Sequence, residues 1–233
     1  MKHPIRTLVI ATACAITAST PAFAQTVTVK VGMANIDPNS SASSIYGPLT
    51  PVDALSLSVK PQSTTFFSIS REISSDWDVE LALGVPPTHD ATVVVKNAAL
   101  VPPSVSAANG KVAATVRQVA PTLFANYWLA TKESTVRPFV GIGVNYTTFD
   151  NAKSTSVNDM INGGPTTIKQ TDSVGLAMQV GASVKLGGPW TVNGAWSTAQ
   201  VKTKMTTNTL GIERSADITF QPTVLTLSLG YSF

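Results

Sequence analysis

From Thr171 to Leu186 the chain alternates two kinds of side chain with almost no break. Asp172 aside, the even positions Val174, Leu176, Met178, Val180, Ala182, Val184 and Leu186 are apolar, while Ser173, Gly175, Ala177, Gln179, Gly181, Ser183 and Lys185 between them are small or polar. An extended strand points successive side chains to opposite faces, so this segment has one greasy face and one polar face. A strand in a soluble sandwich alternates in the same way, but over about 5–6 residues. A strand tilted across a bilayer needs about 9–11, and this segment is longer than that. Its length therefore points to lipid on one side and a polar lumen on the other.

The two-residue period recurs along the chain. Val27, Val29, Val31 and Met33 oppose Thr28, Lys30, Gly32 and Ala34, and Trp77, Val79, Leu81, Leu83 and Val85 oppose Asp78, Glu80, Ala82 and Gly84. Val140, Ile142, Val144 and Tyr146 oppose Gly141, Gly143, Asn145 and Thr147. Leu225, Leu227, Leu229, Tyr231 and Phe233 oppose Thr226, Ser228, Gly230 and Ser232. Thr115 to Leu129 reads as a further strand with Val119, Pro121, Leu123, Ala125, Tyr127 and Leu129 outward, and Ser63–Glu72 and Trp190–Lys204 follow the pattern more weakly. About eight such segments predict an all-β fold, an eight-stranded antiparallel transmembrane β-barrel, the smallest usual size for a single chain. The strand ending at Phe233 is expected to close on the Val27–Met33 strand.

Connection lengths give an independent check. The joints at Ile73–Asp76, Ala130–Thr135 and Gly187–Pro189 are short, and those at Asp37–Gln62, Asn97–Ala114, Asp150–Gln170 and Met205–Ser215 are long. Strict alternation of short and long is expected when one barrel end faces the periplasm and the other the outside. The Ser, Asn, Pro and Gly content of the long segments predicts exposed loops. Trp77, Tyr127, Trp190, Tyr231 and Phe233 all fall at the short-turn end, as an interfacial aromatic girdle requires, and Tyr146 and Phe149 are expected to mark the opposite interface.

The first 24 residues read as a cleaved signal peptide. Lys2 and Arg6 are basic, Thr7–Thr20 is apolar and small, and Ala22-Phe23-Ala24 is an A-x-A cleavage site, leaving 25–233 as one barrel domain. Cys14 lies inside the leader, so the mature chain has no disulfide, cysteine nucleophile or thiolate metal site. Two of the 16 basic residues leave with it, and the remainder nearly balances the 13 acidic ones. That balance gives no electrostatic case for nucleic acid. No later stretch is apolar over the length of a helical span. Together these features place the chain in a bacterial envelope.

The inward phase collects the candidate functional residues. Phe66, Phe124, Trp128 and Phe139 point into the lumen beside Gly141, Gly143 and Ala177, a lining better suited to a hydrophobic solute than to an ion. The same rings could also simply plug a narrow barrel, whose interior is only just wide enough for side chains or one small ligand. Lys30, Glu80, Arg137 and Lys185 share the inward face, and a buried charge needs a partner, so Glu80 is expected to pair with Arg137 or Lys185. Pro86, Pro87 and Pro121 fall near the outer ends of neighbouring strands, where a missing N–H weakens the ladder or merely ends the strand. His89-Asp90 lacks a serine-centred nucleophile motif and has no further nitrogen or sulfur ligands, so no catalytic, metal or cofactor site is expected.

The motifs also carry a resemblance. Val29–Pro38, Pro86-Pro87-Thr88-His89-Asp90, Ala120-Pro121-Thr122-Leu123 and, most specifically, Arg137-Pro138-Phe139-Val140-Gly141-Ile142-Gly143-Val144-Asn145-Tyr146 are similar in order and spacing to those of the OmpW family. This is a family of small outer-membrane barrels that includes hydrocarbon importers. Pro87 stands where the family has an aromatic, and Ala120 replaces one of a pair of prolines. The resemblance implies a cell outer membrane location in a Gram-negative bacterium, with lipid and lipopolysaccharide around the barrel. It implies a small hydrophobic ligand and a lateral exit near Pro86, Pro87, His89 and Pro121. It further implies that Tyr231 and Phe233 form the signal read by the outer-membrane assembly machinery. Passive passage of small hydrophobic molecules is the leading expectation; a structural, adhesive or receptor barrel acting through its loops is the alternative.

Overall fold

The computed structural model describes residues 26–233. The expected signal peptide, with Cys14, lies outside the described residues. In chain order the first strands are β1 (Val27–Asp37), β2 (Ser40–Ala42), β3 (Leu55–Val59), β4 (Gln62–Glu72), β5 (Trp77–Gly84) and β6 (Thr88–Val95). A short helix α1 (Pro103–Ser106) leads to β7 (Val112–Val119), β8 (Thr122–Trp128) and β9 (Val136–Ser154). Helix α2 (Ser156–Asn162) then precedes β10 (Thr166–Gln170), β11 (Ser173–Gly187), β12 (Trp190–Ala199), β13 (Val201–Thr209), β14 (Ile212–Phe220) and β15 (Thr223–Ser232).

Eight of these strands close into an antiparallel barrel in the order β1, β4, β5, β8, β9, β11, β12, β15. The ring is sealed by the β15–β1 ladder, from Thr28 opposite Ser232 to Asp37 opposite Thr223. Along it Val31 faces Leu229 and Met33 faces Leu227, so apolar side chains stack across the outer wall. Leu227 is 65% and Val174 71% exposed, while Lys30, Ser68, Asn126, Gln179 and Ser228 are buried inside. Leu225 to Phe233, rising about 3.3 Å per residue at a tilt of about 40°, covers about 23 Å, close to the roughly 25 Å apolar band of such barrels. At the short-turn end Trp77 packs on Tyr127 at 5.1 Å, and Tyr231 on Trp190 and Phe233 at 4.8 Å each.

Above the barrel the strands continue after a break. Pro38-Asn39, Lys60-Pro61, Val85-Pro86-Pro87, Ala120-Pro121 and Gln221-Pro222 separate β1 from β2, β4 from β3, β5 from β6, β8 from β7 and β15 from β14. Proline has no N–H to give to a ladder, so pairing lapses at this level. Beyond it β3, β6 and β7 pair onto the outer half of β9, and β10, β13, β14 and β2 form a second sheet. Strand β9 runs through both regions without interruption.

These outer sheets correct one expectation. The long connections are not merely exposed loops; they fold into a cap with a core of its own, including Leu55, Leu57, Val93, Val105, Val201, Met205, Ile218 and Phe220. Phe149 is corrected with them. Its odd position faces inward, and it packs 6.3 Å from Phe220 in the cap core instead of marking an interface. The Thr115–Leu129 and Trp190–Lys204 segments, each read as one strand, are likewise two strands broken at Ala120-Pro121 and Gln200.

Candidate lumen site

The lower half of the lumen is closed by a hydrogen-bonded plug. Glu80 Oε1 accepts from Lys30 Nζ at 2.9 Å and Ser68 Oγ at 2.6 Å, and its Oε2 accepts from Asn126 Nδ2 at 3.0 Å and Gln179 Nε2 at 3.3 Å. Asp78 accepts from Asn126 Nδ2 at 2.8 Å and from the Trp128 indole N–H at 2.8 Å. Gln179 Nε2 also donates to Asn126 Oδ1 at 2.6 Å. Each carboxylate thus meets several donors, the condition under which buried charge is tolerated. Five strands contribute, β1, β4, β5, β8 and β11, so the network ties opposite sides of the wall together.

Aromatic rings extend the plug. Arg137 lies 4.3 Å over the Trp128 ring, Trp128 packs 5.1 Å from Phe139, and Lys30 sits 5.8 Å over Phe139. Glycines make room for this filling. A Cβ at Gly141 would stand 2.2 Å from Asn126 Oδ1, and one at Gly181 would stand 2.6 Å from Phe139 Cζ. These positions are glycine because the lumen side chains occupy the space.

Above the plug lies a cavity of about 150 Å³. Phe66, Phe124 and Phe139 line it with Ala34, Ala177 and Ala195, while Lys30, Glu80 and Gln179 form its polar floor. Its wall also includes Leu83, Gly84, Pro87, Gln118 and Ala120. By phase Leu83 belongs to the lipid face, so its presence marks a thin place in the barrel wall. The ladder explains it: the last β5–β8 rung is Ala82 with Thr122, and the next above is Thr88 with Arg117 between β6 and β7. Between them the Gln118 amide bonds the Pro87 carbonyl at 3.0 Å.

The other sequence candidates are placed as follows. Trp128 does not line the cavity but lies in the plug, bonded to Asp78. Glu80 pairs with Lys30, not with Arg137 or Lys185. Arg137 instead reaches Glu72 at 3.8 Å and the Ser75 carbonyl at 3.2 Å, near the short turns. Lys185 is exposed and donates to the Lys132 carbonyl, outside the lumen. Pro86 sits in the β5–β6 break, and the Pro121 carbonyl accepts from the Tyr146 amide at 3.0 Å. His89 is buried in the cap, its Nδ1 3.3 Å from the Lys60 carbonyl, and burial holds its pKa below the ordinary value. The Phe233 amide bonds the Val27 carbonyl at 2.9 Å while its ring stays exposed. Among the described residues no group of three or more His, Cys, Asp or Glu side chains is arranged to hold a metal. Sequence reasoning did not single out Asp78, Asn126 and Gln179 as plug residues. Inward phase was their one signal, and it gives no height in the lumen.

This closed, capped ring of eight strands matches known proteins along nearly its whole length. The OmpW family profile matches residues 24–233. The chain belongs to the OmpW family. It is an outer-membrane β-barrel, and its surroundings are therefore lipid. Outer membrane protein W of Vibrio cholerae is 26% identical over 210 residues, covering 88% of this chain and 87% of that one. Its counterpart in Salmonella typhi is 32% identical over 126 residues, 52% of this chain, and the match spans 56% of the length of that relative. Among solved structures OprG from Pseudomonas aeruginosa superposes with a TM-score of 0.78 at 26% identity, over 89% of this chain and 95% of that one. AlkL, determined in lipid bilayers, gives 0.60 at 23% identity over 93% and 94%, a likeness of fold.

Proposed function

We propose that this OmpW-family barrel lets small hydrophobic molecules pass the outer membrane passively, through the lumen cavity and out sideways into lipid. The observation that carries the reading is the pairing of a sealed floor with a thin side wall. A solute in the cavity meets the Lys30–Glu80 plug below it and Leu83 and Pro87 beside it. An apolar cavity of about 150 Å³ is known in another protein to accept benzene, which sets the expected solute size. Leaving sideways spares such a solute the aqueous periplasm, and no energy source is required. Phe66, Phe124 and Phe139 are the residues assigned to contact it, and Pro86, Pro87 and Pro121 those that keep the exit unpaired.

The same reading assigns export through a cleaved leader ending at Ala24, and recognition of Tyr231 and Phe233 by the assembly machinery in a Gram-negative envelope. Deleting Phe233 should lower insertion before it lowers uptake per inserted barrel.

The test is uptake of toluene by liposomes or cells with and without the protein, alongside Ala177→Phe, which fills the cavity. Faster uptake with the protein, lost in Ala177→Phe, supports passage through the lumen. Equal uptake with and without the protein contradicts it and leaves the structural, adhesive or receptor reading.

A further inference from the structure

The cap contains a second cavity, of about 260 Å³, larger than the one in the lumen. Leu57, Val93, Ile161 and Met205 supply much of its wall, and Arg214 of β14 reaches into its lining. The guanidinium is only partly satisfied. Its Nε donates to Thr50 Oγ1 at 3.1 Å, while Nη1 is fully buried with no hydrogen-bond partner. Among the described residues Arg214 makes no ion pair.

Arg214 is half-buried, but a cationic N–H buried at a largely apolar wall is costly unless something supplies its acceptor. Thr207 on the paired strand β13, and Glu213 and Ser215 on β14 itself, lie nearby without any of them meeting Nη1. An acceptor that comes with its own apolar body would suit both this donor and the apolar part of the wall. Guanidinium is the side chain best matched to a carboxylate, which it can grip with parallel N–H bonds.

We infer that the cap cavity is a binding site for small amphipathic organic anions, a medium-chain or aromatic carboxylate whose head group pairs with Arg214 while its hydrocarbon part lies against Leu57, Val93, Ile161 and Met205. This site is separate from the lumen route proposed above. It would let the cap hold a charged hydrophobic compound outside the bilayer, where the lumen takes an uncharged one.

The test is a titration of the full chain in phosphatidylcholine nanodiscs, following methyl resonances of Val105, Ile161 and Met205. Octanoate should shift them saturably and half-saturate at about one tenth of the octan-1-ol concentration, the gain expected of one charge-assisted contact. Arg214→Gln should weaken octanoate about tenfold and leave octan-1-ol unchanged, and Arg214→Lys should restore part of the difference. Equal half-saturation of the two ligands in the unaltered protein, or no saturable shift, would overturn the site without reliance on any variant. An Arg214→Gln titration matching the unaltered protein would overturn the role of Arg214. Ala177→Phe should leave octanoate binding intact while stopping toluene uptake, which keeps this inference and the lumen reading apart.

Discussion

From β14 to β15 and from β12 to β13 the cap and the barrel are built from consecutive strands that keep one phase, yet their two faces have opposite chemistry. In β15 the odd positions Leu225, Leu227 and Leu229 face out and are apolar, with Thr226 and Ser228 inside. In β14 the odd positions still face out, but they are Glu213, Asp217 and Thr219, while Ala216, Ile218 and Phe220 are buried. Strands β12 and β13 repeat the change, from inward Asn193 and Ser197 to inward Val201 and Met205, with Lys202 and Lys204 outside. What changes at the proline level is the solvent. Lipid surrounds the barrel, so its wall is greasy and its interior must satisfy polar groups internally. Water surrounds the cap, so the hydrophobic effect drives its apolar side chains inward.

The largest test of this contrast is the plug. Glu80→Ala leaves the Lys30 ammonium buried without its carboxylate, at an expected cost of about 3–5 kcal/mol in denaturant unfolding from liposomes. Replacing both by Met should recover most of that loss, because an apolar pair carries no unpaired charge. A single variant as stable as the original would show that the barrel interior does not depend on polar satisfaction.

Next come the outer faces. Leu227→Arg puts a charge against lipid and should cost about 2–4 kcal/mol if the position lies near the bilayer centre. Lys202→Leu, on the outer face of the cap, should change stability by less than about 0.5 kcal/mol. Similar losses from both would erase the difference between the regions.

A smaller effect belongs to the cap alone. Burial depresses the pKa of His89 below its ordinary value, so the folded cap resists taking up the proton that the unfolded chain accepts. Cap stability should therefore be full above the ordinary histidine range and decline as pH falls through and below it. Protease cleavage of cap segments between pH 7.5 and 5 should rise in the unaltered protein and rise less in His89→Gln. A flat profile in the unaltered protein would mean His89 does not report on cap closure.

The contrast also explains what could be read from the sequence. Barrel strands were legible because lipid enforces alternation over long segments, and the short turns confirmed their order. The cap was not, because strands such as Leu55-Ser56-Leu57-Ser58-Val59 are short and embedded in Ser-, Asn- and Pro-rich sequence that also describes a loop. Their apolar partners, Val93, Met205 and Ile218, come from distant segments. In the lumen, phase revealed that Lys30, Glu80 and Arg137 point inward. Pairing required the stagger between strands, which sets Lys30 beside Ser68 and leaves Arg137 lower, near Glu72.

The exchange of faces is most directly tested by nitroxide labels on single cysteines along the outward odd positions of β14 and β15, feasible because the sole cysteine, Cys14, lies in the expected leader. Labels at Leu225, Leu227 and Leu229 should be relaxed mainly by oxygen dissolved in lipid, and those at Glu213, Asp217 and Thr219 mainly by a water-soluble nickel complex, with the switch between Thr219 and Leu225. Oxygen-dominated relaxation continuing through Asp217 and Glu213, or nickel-dominated relaxation at Leu227, would contradict the account.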